Sequence, residues 1–160
     1  MGAGKSYVTK RLAPHLNAPT LDLDALIEAE AGKSIRQIFE EDGEVAFRTL
    51  EQELLYQTIE RPPTLVALGG GTPIYQENMD WIKQHGTSIF LDPSITTLLQ
   101  RLEKERAQRP LLDAVSEEQF RERVLQRLSA RRPIYERADL CLSVEEEPII
   151  IQTCLDFLKG

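Results

Sequence analysis

The chain has 160 residues, 41% of them hydrophobic and 28% charged, with a formal net charge of -7. That is the composition of one globular domain, large enough for a sheet with helices on both faces. The acidic balance excludes a general binder of nucleic acid or anionic membrane, because both need a cationic surface, whereas small-molecule substrates remain open.

The chain begins MGAGKS. Gly4, Lys5 and Ser6 match the last three positions of the phosphate-binding pattern G-x-x-x-x-G-K-[ST], whose first glycine would fall ahead of Met1. From Lys5 to Leu16 an apolar stripe at Val8, Leu12 and Leu16 predicts a helix, with Pro14 as a blemish near its end. Thr20–Leu23 reads as a strand. Ala25–Ala31 and Ser34–Glu41 read as short helices parted by Gly32, and Glu44–Glu60 as a longer one with Phe47, Leu50 and Leu54 on one face.

Pro62 and Pro63 break that helix before TLVAL, a continuous apolar run of the kind buried on both faces of a sheet. GGGTP follows at once. A helix over Met79–Gln84, a strand SIFL, a helix from Ser94 to about Arg106, a lid-like loop at about 107–116, a helix over Ser116–Ala130, a strand DLCLSV and a helix over Pro148–Lys159 complete the chain. Alternating strands and helices predict a parallel sheet in a doubly wound α/β domain, whose ligands bind beyond the carboxyl ends of the strands.

No apolar run has membrane-spanning length and no signal peptide is recognisable, so a cytoplasmic address is expected. Cys141 and Cys154 both lie in apolar patterns and read as buried thiols, and His15 and His85 as surface or helix-end residues. Nine of the thirteen arginines fall between Arg101 and Arg137. Such enrichment suits a phosphorylated or carboxylated ligand, although a solvated helix face accounts for most of it.

Several stretches carry chemistry. In GAGKS, glycines let backbone N–H groups turn toward a polyphosphate, Lys5 reaches its outer phosphates and Ser6 is a magnesium ligand; a glycine-rich helix start is the plainer reading. In LDLD, Asp22 and Asp24 would stand side by side at the end of a strand, one to organise magnesium and one to orient or deprotonate a hydroxyl, unless they are simply aspartates opening a helix. In FRTLE, Glu51 can hold Arg48 at i,i+3 beside Phe47, as a pocket for a carboxylated ring requires, or the two form an ordinary surface pair. Gly69, Gly70 and Gly71 permit a ligand to approach the backbone. Arg109 in QRPLL and Arg131 in ARRPIYERAD complete the series, the former as a loop arginine able to close on a transferring phosphoryl group.

GAGKS, LDLD, FRTLE, GGG, RPLL and RxPxY, in this order and approximate spacing, resemble shikimate kinase from Met1 to about Asp139. The resemblance implies a three-layer P-loop kinase fold with a central parallel sheet flanked by helices, the first strand missing. It implies a single domain over residues 1–160, with a substrate-binding helical region at about 25–60. It implies transfer of the γ-phosphoryl of ATP to the 3-hydroxyl of shikimate, with Mg2+ as cofactor. By position, Gly2, Ala3, Gly4, Lys5, Ser6, Tyr7 and Arg109 would bind ATP, and Ser6 and Asp22 the metal. Asp24, Phe39, Phe47, Arg48, Gly69, Gly70, Gly71 and Arg131 would bind shikimate. Lys5, Asp24 and Arg109 would carry catalysis, in a protein expected to be a monomer with no nucleic-acid or membrane partner.

Family members carry an apolar strand and a first loop glycine ahead of this motif. The expectation is therefore that Met1 is an internal methionine and that a longer chain is the active kinase; the 160 residues alone should bind ATP weakly and be marginally stable. The rivals are another small-metabolite kinase of this fold, such as a gluconate kinase, and a non-catalytic nucleotide-binding module.

Overall fold

A computed structural model of the chain describes residues 2–107 and 116–160. The expected lid, with Arg109, lies outside the described residues.

Helix α1 (Lys5–Leu16) starts after Gly4, whose φ of 86° lies in the left-handed region that glycine adopts without a Cβ penalty, and it buries Val8 and Leu12. Pro14 is accommodated close to its end, where few intrahelical bonds remain to be lost. Strand β1 (Thr20–Asp22) is followed directly by α2 (Leu23–Ala31). The expectation that Asp22 and Asp24 share one strand is corrected here. Asp22 Oδ1 accepts the backbone N–H groups of Asp24 and Ala25, which caps the helix and places Asp24 in its first turn.

A capping box between Ser34 and Gln37 opens α3 (Ile35–Glu41), and α4 (Gly43–Gln57) follows. The remaining elements are β2 (Leu65–Ala67), a 3-10 turn over Thr72–Ile74, α5 (Asn78–His85), β3 (Ile89–Leu91), α6 (Ile95–Ala107), α7 (Glu117–Tyr135), β4 (Leu140–Leu142) and α8 (Glu147–Lys159). Helix α7 runs past Ala130 and through Pro133. Its last turns are held from outside, by a bidentate pair from Arg132 to Asp92 (2.8 and 2.9 Å) and by the Tyr135 hydroxyl donating to the Gly70 carbonyl.

In place of one continuous sheet, the described residues form two parallel pairs, β1 with β2 and β3 with β4. Between the pairs lies a largely apolar cavity of about 1150 Å³. Consecutive residues Leu65 to Leu68 and Ile89 to Leu91 line it, whereas β1 and β4 do not. Successive strand residues point to opposite faces, so an unbroken run on the wall means that the edges of β2 and β3 border the gap. Among the described residues, the gap is thus a slot flanked by two strand edges.

The core is divided accordingly. Leu23, Ile27, Ile38, Phe47, Leu54 and Leu55 cluster under α2–α4; Val8, Leu12, Leu142, Cys154 and Leu155 join α1, β4 and α8; Leu98, Leu99, Leu102 and Val124 join α6 to α7. Trp81 stacks between Tyr56 and His85, with ring centroids 4.7 and 4.5 Å away, on the slot wall. Cys154 is buried as expected, but Cys141 is exposed. On β4, which among the described residues pairs with β3 alone, alternation turns Leu142 inward and Cys141 outward.

Candidate active site

The register of the first strand pair assembles one half of the site. Asp22 lies opposite Ala67, so the turn into α2 and the glycine run after β2 emerge together at the carboxyl ends of the strands. A methyl group on Gly69 would meet Asp24 Oδ1 at 3.0 Å, Thr72 Oγ1 at 3.2 Å and Glu51 Oε1 at 3.3 Å. One on Gly71 would meet the Arg48 guanidinium, 2.6 Å from Cζ. The GGG run is therefore the surface against which Asp24 and Arg48 both lie, and a side chain at Gly69 or Gly71 would have to displace them.

Arg48 is set by its own helix. Its Nη1 donates to Glu51 Oε2 at 2.6 Å and the guanidinium stacks 5.0 Å from the Phe47 ring centroid, while Glu51 itself is only 1% exposed. The surface-pair reading of Arg48 and Glu51 does not hold. Phe39 and Phe47 contact each other at 4.6 Å between centroids, the former partly exposed and the latter buried. Sequence reasoning missed Thr72 and Asn78, both 0% exposed, which hydrogen-bond into this cluster. A threonine after three glycines reads as turn chemistry and an asparagine opening a helix as a cap; nothing in their spacing marks them as buried.

The other half of the candidate site is built from α1. No side chain caps its N-terminus and no acidic residue sits in its first turn, so its N–H groups and positive end are left for an anion. Gly2 and Gly4 have φ of 66° and 86°. The loop is tied down by Arg101, which donates to the Gly2 carbonyl at 3.2 Å, and Gly2 packs on Leu98 and Leu102. Ser6 Oγ donates to Asp22 Oδ2 at 2.7 Å. A hydroxyl and a carboxylate side by side are hard oxygen donors of the kind Mg2+ uses when phosphates and water supply its other ligands. Tyr7 does not join this group through its side chain: it is 51% exposed and its hydroxyl donates to Glu147, leaving only its backbone N–H near the loop.

Lys5, Ala3, Gly69, Gly70 and Arg131 line the same cavity. Arg131 reaches it from α7, where the neighbouring Arg132–Asp92 pair and the Tyr135–Gly70 bond fix the helix against β3 and the glycine turn. Among the described residues, neither the Lys5 ammonium nor the Arg131 guanidinium is held by a hydrogen bond or ion pair. Asp24 titrates above the ordinary aspartate range, chiefly through loss of hydration and then through the charges of Asp22 and Glu51, with Lys5 opposing the shift. A carboxylate so tuned is a better proton acceptor than an ordinary surface aspartate. Asp24 and Arg48 thus lie against the glycine run, whose Gly69 and Gly70 line the cavity together with Lys5 and Arg131.

The family model for shikimate kinase matches residues 1–159. The shikimate kinase of Bacteroides fragilis is 34% identical over 99% of this chain and 90% of its own length, and that of Salinibacter ruber is 39% identical over 91% of this chain and 74% of its own. Among solved structures, the shikimate kinase of Bacteroides thetaiotaomicron is 31% identical with a TM-score of 0.91, covering 100% of this chain and 94% of the other. That of Acinetobacter baumannii, determined in complex with shikimate, is 32% identical with a TM-score of 0.86, covering 99% and 88%. The converging motifs and these matches along nearly the whole length lead to one conclusion: the chain belongs to the shikimate kinase family.

Proposed function

We propose that the chain transfers the γ-phosphoryl group of ATP to the 3-hydroxyl of shikimate, giving shikimate 3-phosphate and ADP, as a single kinase domain. The observation that carries this reading is the convergence of Asp24 and Arg48 on the glycine run, whose Gly69 and Gly70 line a cavity with Lys5 and Arg131. Arg48 and Arg131 grip the acceptor's carboxylate, because two guanidinium groups can hold a planar anion in a fixed orientation. Phe39, Phe47 and the glycines bound the ring. The 3-hydroxyl then lies near Asp24, which orients it and accepts its proton.

Lys5 and the N-terminal N–H groups of α1 hold the phosphates and neutralise charge during transfer. Ser6 and Asp22 would hold Mg2+, which when bound supplies charge neutralisation on the phosphate oxygens. The segment at about 107–116, with Arg109, acts as the lid, and the helices at about 25–60 shape the acceptor site. A cytoplasmic monomer fits this reading: ATP is the co-substrate and both cysteines are free thiols.

The test is a coupled phosphotransfer assay with ATP and Mg2+ across hydroxylated acids. It is run on this chain and on one preceded by an apolar strand and a loop glycine. Shikimate should be the preferred acceptor; turnover of gluconate in preference to shikimate would replace the reading with that of another small-metabolite kinase.

A further inference from the structure

Arg48 faces a competition for its hydrogen-bond donors. A guanidinium beside a carboxylate tends toward two parallel N–H···O bonds, which would spend both of its forward N–H edges on Glu51. That is not the arrangement found. Only Nη1 donates to Glu51, to Oε2 at 2.6 Å, and Nε lies 3.6 Å from Glu44 Oε1. Among the described residues, Arg48 Nη2 donates a hydrogen bond to neither carboxylate.

The other oxygen of Glu51 is already occupied. Thr72 Oγ1 donates to Glu51 Oε1 at 2.6 Å, and both residues are buried. Thr72 is in turn fixed from behind. Asn78 Nδ2 donates to the Thr72 carbonyl at 2.9 Å, and Gln52 Nε2 donates to Asn78 Oδ1 at 2.7 Å. Gln52 follows Glu51 in α4, so the path Glu51, Thr72, Asn78, Gln52 closes on itself. The glycine turn is gripped at its side chain and its backbone by one turn of one helix. Every polar atom in this path is buried or part-buried, where an unmade bond is costly and alternative geometries are few.

Resting on the acceptor reading above, we propose that Thr72 is a positioning residue. Its hydroxyl occupies one oxygen of Glu51, keeps the Glu51–Arg48 contact single, and so leaves Arg48 Nη2 available to the carboxylate of the acid acceptor. Asn78 and Gln52 hold Thr72 where it can do this. Without the hydroxyl, Glu51 turns both oxygens on Arg48, the guanidinium is drawn toward α4, and the acceptor loses one of its charged bonds.

Thr72→Val keeps the shape and removes the donor; Thr72→Ser restores the donor in a smaller side chain. Shikimate binding is measured by calorimetry without nucleotide, and KM and kcat in the active form. The valine variant should bind shikimate about tenfold more weakly and show a similar rise in its KM, the loss expected for one bond to a charged group. The KM for ATP should stay unchanged, and serine should restore binding. A purely structural role would instead move thermal stability without separating the two KM values. Unchanged shikimate affinity in a folded valine variant overturns the proposal, as does failure of serine to rescue. Crystal structures of the two variants supply an arm independent of the acceptor's identity: the Arg48–Glu51 contact should become two-bonded in valine and stay single in serine, and a single contact in valine overturns the proposal. If the unaltered protein does not bind shikimate, the acceptor reading fails, and the crystallographic arm still decides the role of Thr72.

Discussion

Replacing Gly71 by alanine isolates the contribution of Arg48 placement. The backbone tolerates it, because Gly71 has φ -88° and ψ -25°, an ordinary helical conformation. Space does not. The new methyl would sit 2.6 Å from Arg48 Cζ, whereas carbon atoms in contact prefer about 3.5–4.0 Å, so the guanidinium must retreat by roughly 1 Å. It cannot swing freely, since Glu51 holds it with a 2.6 Å bond from a buried position. Weakening a bond to a charged group costs about 1.5–3 kcal/mol, or roughly ten- to a hundredfold in affinity. Steady-state kinetics should therefore show KM for shikimate rising by that factor, kcat falling less and KM for ATP unmoved. Gly32→Ala is the control: Gly32 has φ 66° and no neighbour within 4 Å, so alanine there strains the backbone and lowers stability without touching the acceptor. A folded Gly71→Ala protein with unaltered KM for shikimate would refute the close approach of Arg48 to the glycine run.

Three further outcomes follow from the same geometry. The Asp24 carboxyl titrates above its ordinary range in the fold, so its ionisation opposes folding: the cost is absent below the usual aspartate pKa and complete above the raised one. Asp24→Asn should slow transfer by about 10²–10⁴-fold yet melt higher than the parent at neutral pH, the gain vanishing in acid; a lower melting point at neutral pH would contradict this. Asp139 is held at about 2 by the Ser88 hydroxyl and N–H, with Lys83 adding to the effect. Its contribution is thus present above the ordinary aspartate pKa and lost as pH falls through about 2. Asp139→Ala should cost under about 1 kcal/mol at neutral pH, given its solvent exposure, and nothing at the acid limit, as read by denaturant titration. Filling the slot between β2 and β3 with an apolar five-residue segment fused ahead of Met1 should raise stability by on the order of 2 kcal/mol, since burial only partly outweighs ordering. Hydrogen exchange at Leu65–Ala67 and Ile89–Leu91 should slow, and equal rates with and without the segment would show that the edges do not accept it.

The helices were the legible part of this fold. Val8, Leu12 and Leu16 mark α1 by their spacing, and the observed bounds agree with that reading. The strands among the described residues are three residues each, too short for alternation to fix their ends. Asp22 ended β1 early because a capping bond outweighed continued extension. Cys141 looked buried because LCLSV is apolar, but alternation along β4 turns it outward while Leu142 faces the core. Helix α7 outran its expected end because the bonds that hold it come from Asp92 and Gly70, distant in the chain. The motifs singled out Asp24, Arg48 and the glycines, which the structure brings together. The buried supports Thr72 and Asn78 were not legible, because their partners are set by tertiary packing and leave no periodic trace.

Trp81 is the chain's lone tryptophan, and its indole sits on the slot wall between Tyr56 and His85. The protein therefore carries an intrinsic fluorophore at the gap in its sheet. Water leaving that gap should blue-shift the emission, so occupancy of the slot can be followed optically, without a label and apart from any turnover.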